Sequence, residues 1–215
     1  MRKILLPALL ILTILLGITC SAASSTKLSD HDIATLYGPV TSESANVLIQ
    51  KLHEDGEYSS DKPIYLFIDS PGGEVFAGAK IIDAMKASTR PIYTVDVGLA
   101  ASMAAWIEEY GVKRYMFPHA VLMFHDASVG YEQDKLSFIG SRVNMVASLV
   151  YNFNNDMSQK CKISLNEIMI REDREWWVLS AEAKQRNLVD DVIAMSNYPV
   201  PVPEKDKPLS FLLNH

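Results

Sequence analysis

The chain has 215 residues, a formal net charge of −6, 48% hydrophobic residues and 21% charged residues. This length suits one α/β domain with its own core, and the composition excludes collagen, a coiled coil and a wholly disordered chain. The acidic balance, with no lysine- and arginine-rich run and no zinc-finger spacing, argues against a nucleic-acid partner. Two cysteines, Cys20 and Cys161, are too few for a disulfide framework or a cysteine-rich metal site, and no motif predicts a cofactor.

The first 25 residues have the pattern of a secretory signal. Two basic residues precede an uncharged, mostly apolar run over residues 4–18, and small residues follow it. This pattern favours a signal peptide cleaved after Ala22 or Ala23, and hence an exported protein in a periplasmic or other extracytoplasmic location. The uncharged stretch is long enough to span a bilayer, so an uncleaved membrane anchor is the second interpretation, and lipidation of Cys20 is the third. Without export, the protein would be cytoplasmic.

Residues 32–195 read as one domain in which strands and helices alternate. Short apolar runs predict strands, and apolar residues at helical spacing predict helices. Strands are expected at residues 33–37, 64–68, 92–97, 115–117 and 121–124. Helices are expected at residues 42–55, 75–87, 102–110, 133–158 and 181–187, and another begins at the capping box of Ser164 and Glu167. Residues 196–215 are rich in proline and predict an extended tail.

The apolar strands indicate how the sheet is built. Residues 64–68 and 92–97 are nearly continuous apolar runs, as in strands buried on both faces, and a predicted helix separates them. Two strands joined through a helix pair in parallel with a right-handed crossover. The expected fold class is therefore α/β, with repeated βαβ units.

Three segments carry residues suited to nucleophilic catalysis. Gly72 and Gly73 follow a buried strand, where paired glycines permit a sharp turn that leaves backbone N–H groups facing a ligand. Ser102 lies among small residues where a strand gives way to a helix, a position that suits a nucleophile whose substrate develops an oxyanion. His125 closes an apolar strand. Each feature alone has a structural explanation, as an ordinary turn, a helix cap or a core histidine.

Taken together, the three segments contain the parts of one hydrolytic site. Attack by a hydroxyl needs a base and a pair of donors for the oxyanion. Ser102 and His125 are candidates for the nucleophile and the base. The backbone N–H groups of Gly73 and Met103 are candidates for the donors.

These segments resemble those of the proteolytic subunits of the Clp (caseinolytic) proteases. The matching stretches are residues 68–73, 98–103, 123–125, 173–177, 182–183 and 188–190, within a resemblance that covers about residues 35–193. It implies a ClpP/crotonase-like fold whose helix at residues 133–158 protrudes as a handle. It also implies a homo-oligomeric ring of serine endopeptidases that act on peptides or unfolded proteins.

The resemblance also implies residue roles. Ser102 would be the nucleophile, His125 the general base, and Gly73 and Met103 the donors of the oxyanion hole. An ungapped match places Glu175 where the family usually has the aspartate of the triad.

The chain departs from the family in several places. Besides Glu175, the nearby Asp173 is a second candidate for the triad acid, and Asp126-Ala127 follows His125 where Gln-Pro is usual. The N-terminal segment that family members use near the axial pore is short. A secretory leader is unusual in a family that works beside an ATP-driven unfoldase, so partnership with a Clp ATPase is left open.

Three other interpretations remain. Crotonase-like enzymes share the superfold and hold a thioester oxyanion with paired N–H groups, but they need no Ser-His pair. A Ser-Lys peptidase would need a lysine, and Lys135 is the nearest one after His125. A catalytically silent subunit that assembles with active partners is the third, since a triad without its acid can lose most of its activity. The sequence leaves the substrate and the ring size undetermined.

Overall fold

The domain is seen in a computed structural model that describes residues 28–127 and 136–194. The predicted leader, residues 1–25, and the predicted proline-rich tail, residues 196–215, lie outside the described residues. Within the described part of the chain, no helix has the length and apolar character needed to cross a membrane.

Strands and α-helices alternate along most of the described chain. The strands are β1 (Ile33–Tyr37), β2 (Ile64–Ser70), β3 (Ile92–Ala101), β4 (Lys113–Met116), β5 (Val121–Phe124), β6 (Trp176–Leu179) and β7 (Asp191–Val192). The helices are α1 (Ser42–Glu57), α2 (Val75–Ala87), α3 (Met103–Glu109), α4 (Leu136–Cys161), α5 (Leu165–Glu172) and α6 (Ser180–Gln185). This order confirms the predicted α/β class.

One sheet organises the domain and divides at β3. The strands β1, β2, β3, β4 and β7 are adjacent in that order and all parallel. The first half of β3 pairs with β4, whereas its last residues pair in parallel with β5. Strand β6 then adds to β5 in antiparallel fashion. The carboxyl end of β3 therefore lies beside the end of β5, away from β4.

The core lies between the sheet and the helices. Strand β2 is buried on both faces over most of its length, with Phe67 and Ile68 inaccessible to solvent. Helix α1 turns Leu48 and Leu52 inward, and its first turn is capped by Thr41, whose hydroxyl accepts from the Ser44 N–H at 3.1 Å. Each large apolar side chain buried in this way stabilises the fold by about 1.5–3 kcal/mol.

Strand β3 is longer than the sequence predicted. The strand was predicted to end at residue 97, but Leu99, Ala100 and Ala101 pair with β5 and so continue it. Between Ile68 and Ser70 the register of β2 against β3 shifts, so β3 bulges there. The predicted end was wrong because the pairing partner, β5, is supplied by a separate segment of the chain.

Among the other elements that differ from the predictions are β6 and α4. Strand β6 was not anticipated, because four residues after a charged loop give a weak periodic signal on their own. Helix α4 ends at Cys161, three residues beyond the predicted end, and its predicted start at residue 133 lies outside the described residues.

Candidate active site

Ser102 lies in the sharp turn between β3 and α3. Its backbone has φ 54° and ψ −125°, a conformation that costs a residue with a side chain about 1–3 kcal/mol. Its carbonyl accepts from the N–H of Ala105 at 2.9 Å, which starts helix α3. The side chain is half-buried. The strained turn thus presents the hydroxyl at the end of the strand instead of using it to cap the helix.

His125 meets Ser102 because β5 runs beside the end of β3. Ala101 pairs with Met123, and the Ser102 N–H continues the ladder by donating to the Met123 carbonyl at 2.7 Å. Two residues later, His125 Nε2 lies 2.8 Å from Ser102 Oγ. This is the hydrogen bond that a nucleophile and its general base require.

The paired glycines pack against this serine turn. Gly72 has φ +84°, and a Cβ added to it would stand 2.4 Å from the Ala101 carbonyl oxygen and 2.8 Å from the Met103 nitrogen. Gly73 has φ +149°, and its added Cβ would stand 2.2 Å from the carbonyl oxygen of Val40. A side chain at either position therefore collides with backbone atoms, so only glycine fits without displacement.

The two candidate oxyanion donors belong to the two turns that pack together, Gly73 to the glycine turn and Met103, the residue after Ser102, to the serine turn. Among the described residues, no acceptor is hydrogen-bonded to the amide N–H of Gly73 or of Met103. Val40 holds the glycine turn in place, since its N–H donates to Gly72 and its carbonyl accepts from Glu74, both at 2.8 Å. The turn is therefore fixed by hydrogen bonds that leave these two N–H groups unused.

Glu175, the predicted triad acid, lies close to His125 in register but is not bonded to it. Phe124 pairs with Trp176 in the antiparallel ladder of β5 and β6. The Glu175 side chain is exposed and accepts from Trp177 Nε1 at 3.2 Å, and its backbone has φ 57°. Within the described chain, neither Glu175 nor the exposed Asp173 forms a hydrogen bond or ion pair with His125.

A buried polar chain beside the site was not anticipated from the sequence. Trp106 Nε1 donates to Asn154 Oδ1 at 3.0 Å, and Asn154 Nδ2 donates to Glu172 Oε2 at 2.5 Å. Asn154 and Glu172 are both buried. Burial raises the pKa of Glu172 to about 7, and the negative charge of Asp126 adds to the rise, although the Asn154 hydrogen bond opposes it. The available signal was Asn154 itself, a polar residue on the apolar stripe of a long helix.

A cleft of about 1290 Å³ adjoins this chain between α4 and α5. Apolar residues of the two helices, among them Val150, Tyr151 and Met169, line its walls. Asp126 and Glu172 reach its surface, and Asp126 is the residue after His125. The cleft therefore reaches the residue that follows the candidate base.

Other reactive side chains contribute less to this site. Burial raises the pKa of the Cys161 thiol to about 12, and the negative charge of Glu109 adds to that rise, so the thiol is a poor nucleophile near neutral pH. His31 stacks on Tyr58 and contacts Asp55, far along the chain from Ser102. Over residues 28–127 and 136–194, no group of three or more His, Cys, Asp or Glu residues is arranged to hold a metal ion.

Comparison with known proteins agrees with this geometry. The family model described as Clp protease matches residues 17–196. The chain is 38% identical over 175 residues to the ATP-dependent Clp protease proteolytic subunit 2 of Prochlorococcus marinus (strain MIT 9313), covering 80% of this chain and 87% of that protein. It is 35% identical over 175 residues to the ATP-dependent Clp protease proteolytic subunit 3 of Synechococcus sp. (strain CC9605), with the same coverage.

The family match spans most of the chain and includes every segment of the candidate site. The serine turn, the glycine turn and the end of β5 all lie inside residues 17–196. The chain therefore belongs to the Clp protease family and is a peptidase of the Clp proteolytic-subunit type.

Proposed function

We propose that the protein is a serine endopeptidase that cleaves peptide bonds through an acyl-enzyme on Ser102. The observation that carries this proposal is the 2.8 Å contact between Ser102 Oγ and His125 Nε2 at the end of two neighbouring strands. Membership of the Clp protease family supports it independently.

Acylation follows from this contact. His125 Nε2 takes the proton of the Ser102 hydroxyl as Oγ attacks the substrate carbonyl carbon, and the carbonyl oxygen becomes an oxyanion. The N–H groups of Gly73 and Met103 are the proposed donors to that oxyanion, and each such donor is worth about 3 kcal/mol of transition-state stabilisation. The imidazolium then gives its proton to the leaving amine, and the carbon–nitrogen bond breaks.

Deacylation uses the same groups, with water as the nucleophile and Ser102 Oγ as the leaving group. His125 removes a proton from a water molecule, whose oxygen attacks the ester carbon. The oxyanion forms again at the proposed N–H donors. The proton then returns to Ser102 Oγ as the ester bond breaks, which releases the carboxylic acid product.

Glu175 is the proposed orienting acid of His125. Its support is the register of β5 and β6, whose last pair is Phe124 and Trp176. His125 comes directly after Phe124 on one strand, and Glu175 comes directly before Trp176 on the other. A change of side-chain rotamer would have to move its carboxylate from Trp177 to the second ring nitrogen of His125.

The proposed substrates and partners follow from the family. Clp proteolytic subunits assemble, and we propose that this chain forms a homo-oligomeric ring that cleaves peptides and unfolded proteins. We also propose that the first 25 residues direct export, which would separate the ring from cytosolic ATP. N-terminal sequencing of the mature protein from fractionated cells checks export, with a start after Ala22 or Ala23 expected.

Labelling with a fluorophosphonate, followed by peptide mapping, tests the proposed mechanism. The wild-type protein should be labelled at Ser102, and Ser102→Ala should abolish labelling and lower peptide hydrolysis by several orders of magnitude. Ser42, on α1 and bonded to Glu74, provides the matched control Ser42→Ala, which should behave as wild type. An unlabelled wild-type protein that hydrolyses no peptide would instead favour the catalytically silent subunit. Hydrolysis of acyl thioesters by an unlabelled protein would favour a crotonase-like enzyme.

A further inference from the structure

The buried polar chain of Trp106, Asn154 and Glu172 connects the two halves of the candidate site. Trp106 is on helix α3, and its backbone N–H lies 3.4 Å from the carbonyl oxygen of Ser102, one turn earlier. Glu172 is the last residue of α5, and its carbonyl oxygen accepts from the N–H of Asp126 at 3.3 Å.

These contacts form a closed path around the Ser–His contact. The path runs from Ser102 through Trp106, across Asn154 of α4 to Glu172, and back through the residue next to His125. Asn154 is the only side chain of the path that bonds in both directions, since its Oδ1 accepts and its Nδ2 donates. Its two hydrogen bonds therefore set the spacing between the segment that holds the serine and the segment that holds the histidine.

We propose that Asn154 is a positioning residue for the Ser102–His125 pair, acting through Trp106 on the serine side and through Glu172 on the histidine side. This inference rests on the proposed serine peptidase function. A displacement of about 1 Å between reacting groups can cost about 100-fold in rate. The two hydrogen bonds of Asn154 form a bridge between Trp106 and Glu172. Because this bridge touches no substrate, its loss should lower kcat more than it raises KM.

Glu172 makes this bridge sensitive to pH. Its other carboxylate oxygen, Oε1, is buried and has no hydrogen-bond partner within the described chain. The negatively charged Asp126 faces the Glu172 carboxyl from the β5 side, and the neutral Asn154 faces it from α4. On its own helix, Arg171 is engaged with Glu167.

The direction of the pH effect follows from the donor. An amide N–H donates more strongly to a carboxylate than to a carboxylic acid, so the bond from Asn154 tightens when Glu172 loses its proton. Since burial and Asp126 raise the pKa of Glu172 to about 7, that change falls in the neutral range. The rate of acylation should therefore fall as Glu172 takes up its proton on the acid side of neutral pH.

The donor and the acceptor can be exchanged to test the bridge. Asn154→Asp keeps the acceptor for Trp106 but sets a carboxylate against Glu172, and it should lower kcat and the fluorophosphonate labelling rate by about 10- to 100-fold. Adding Glu172→Gln lets an amide at position 172 donate to the carboxylate at position 154. This double variant should recover to within about threefold of wild type. Asn152→Asp, on the exposed side of the same helix, is the matched control.

Single Glu172→Gln gives the second readout through the pH profile of the labelling rate. The wild-type rate should fall more steeply on the acid side than the rate of the variant, which cannot take up a proton at position 172. Circular dichroism identifies a variant that fails to fold, and the Glu172→Gln profile then decides by itself. Equal labelling rates for wild type and a folded Asn154→Asp, or identical slopes for wild type and Glu172→Gln, would overturn the inference. Absence of labelling in the wild type would instead overturn the proposed function.

Discussion

Phe124 and Trp176 form the last pair of the antiparallel ladder between β5 and β6, and His125 and Glu175 are the residues just beyond that pair. The Glu175 side chain accepts from the indole of Trp177 and, within the described residues, forms no hydrogen bond with His125. Its proposed role as the triad acid therefore requires the carboxylate to leave Trp177 and reach the imidazole.

The first prediction compares the two acids of this loop. Glu175→Gln should keep the fold and lower kcat/KM by several orders of magnitude, because a neutral amide cannot stabilise the imidazolium. Asp173→Asn, on the same exposed loop, should cost much less. Peptide hydrolysis at saturating and limiting substrate checks both variants. The reverse ranking would assign the role to Asp173, and two nearly silent substitutions would show that His125 works without an acid from this loop.

The second prediction concerns the glycine turn. Gly72→Ala should abolish peptide hydrolysis, because its Cβ would meet the backbone of Ala101 and Met103 at 2.4 and 2.8 Å and displace the serine turn. The control is Gly140→Ala in α4, where an added Cβ meets nothing within 4 Å. That substitution should leave activity unchanged and raise helix stability by up to about 1 kcal/mol. Full activity in Gly72→Ala would contradict the proposed packing of the two turns.

The third prediction concerns stability at alkaline pH. Burial raises the pKa of Asp96 and of Glu108. The negative charge of Asp69 adds to the rise at Asp96, and the charges of Asp96 and Glu109 add to the rise at Glu108. Neither oxygen of the Glu108 carboxyl has a hydrogen-bond partner within the described residues. For a carboxyl group whose pKa is raised on folding, the stability linked to its proton is complete below the ordinary value of about 4.5 and is lost as the pH rises through the folded pKa.

Thermal unfolding from pH 5 to pH 9 checks this expectation. The Tm of the wild type should fall with rising pH, and the Tm of Glu108→Gln should fall less. The difference between the two Tm values should therefore widen toward pH 9. The neighbouring Glu109 provides the contrast, because it pairs with the buried Arg114 at 2.7 Å. Glu109→Gln should destabilise by an amount on the order of 3 kcal/mol, since it leaves a buried guanidinium without that partner. Parallel Tm curves for wild type and Glu108→Gln would refute the interpretation.

The fourth prediction concerns assembly and energy coupling. The native mass should be a multiple of the mass of the mature chain, as expected for a ring, and that mass is below the 23.9 kDa of the full sequence once the leader is removed. The protein should cleave peptides and unfolded chains but spare folded proteins, since an exported protein would meet little ATP. Native mass spectrometry and degradation assays check both points. Degradation of a folded substrate with ATP and a cytosolic unfoldase would contradict the proposed export and restore the ATPase partnership.

The sequence by itself determined the local features of this protein. Apolar runs and helical spacing predicted strands β1, β2 and β5 and helices α1, α2 and α3, because burial patterns repeat along a single element. The serine turn, the paired glycines and the histidine at a strand end were recognisable for the same reason. Each depends on its immediate neighbours, and their order along the chain indicated the family.

Only the tertiary structure decided what depends on contacts between distant segments. The length of β3 and the existence of β6 follow from their pairing with β5. The local sequence pattern of β3 or of β6 does not encode that pairing. The 2.8 Å contact of Ser102 with His125 depends on that same pairing. The two hydrogen bonds of the path through Trp106, Asn154 and Glu172 join residues 48 and 18 positions apart, and both bonds are directional. Periodicity along the chain carries no information about such angles and distances, because they are fixed only when three helices pack together.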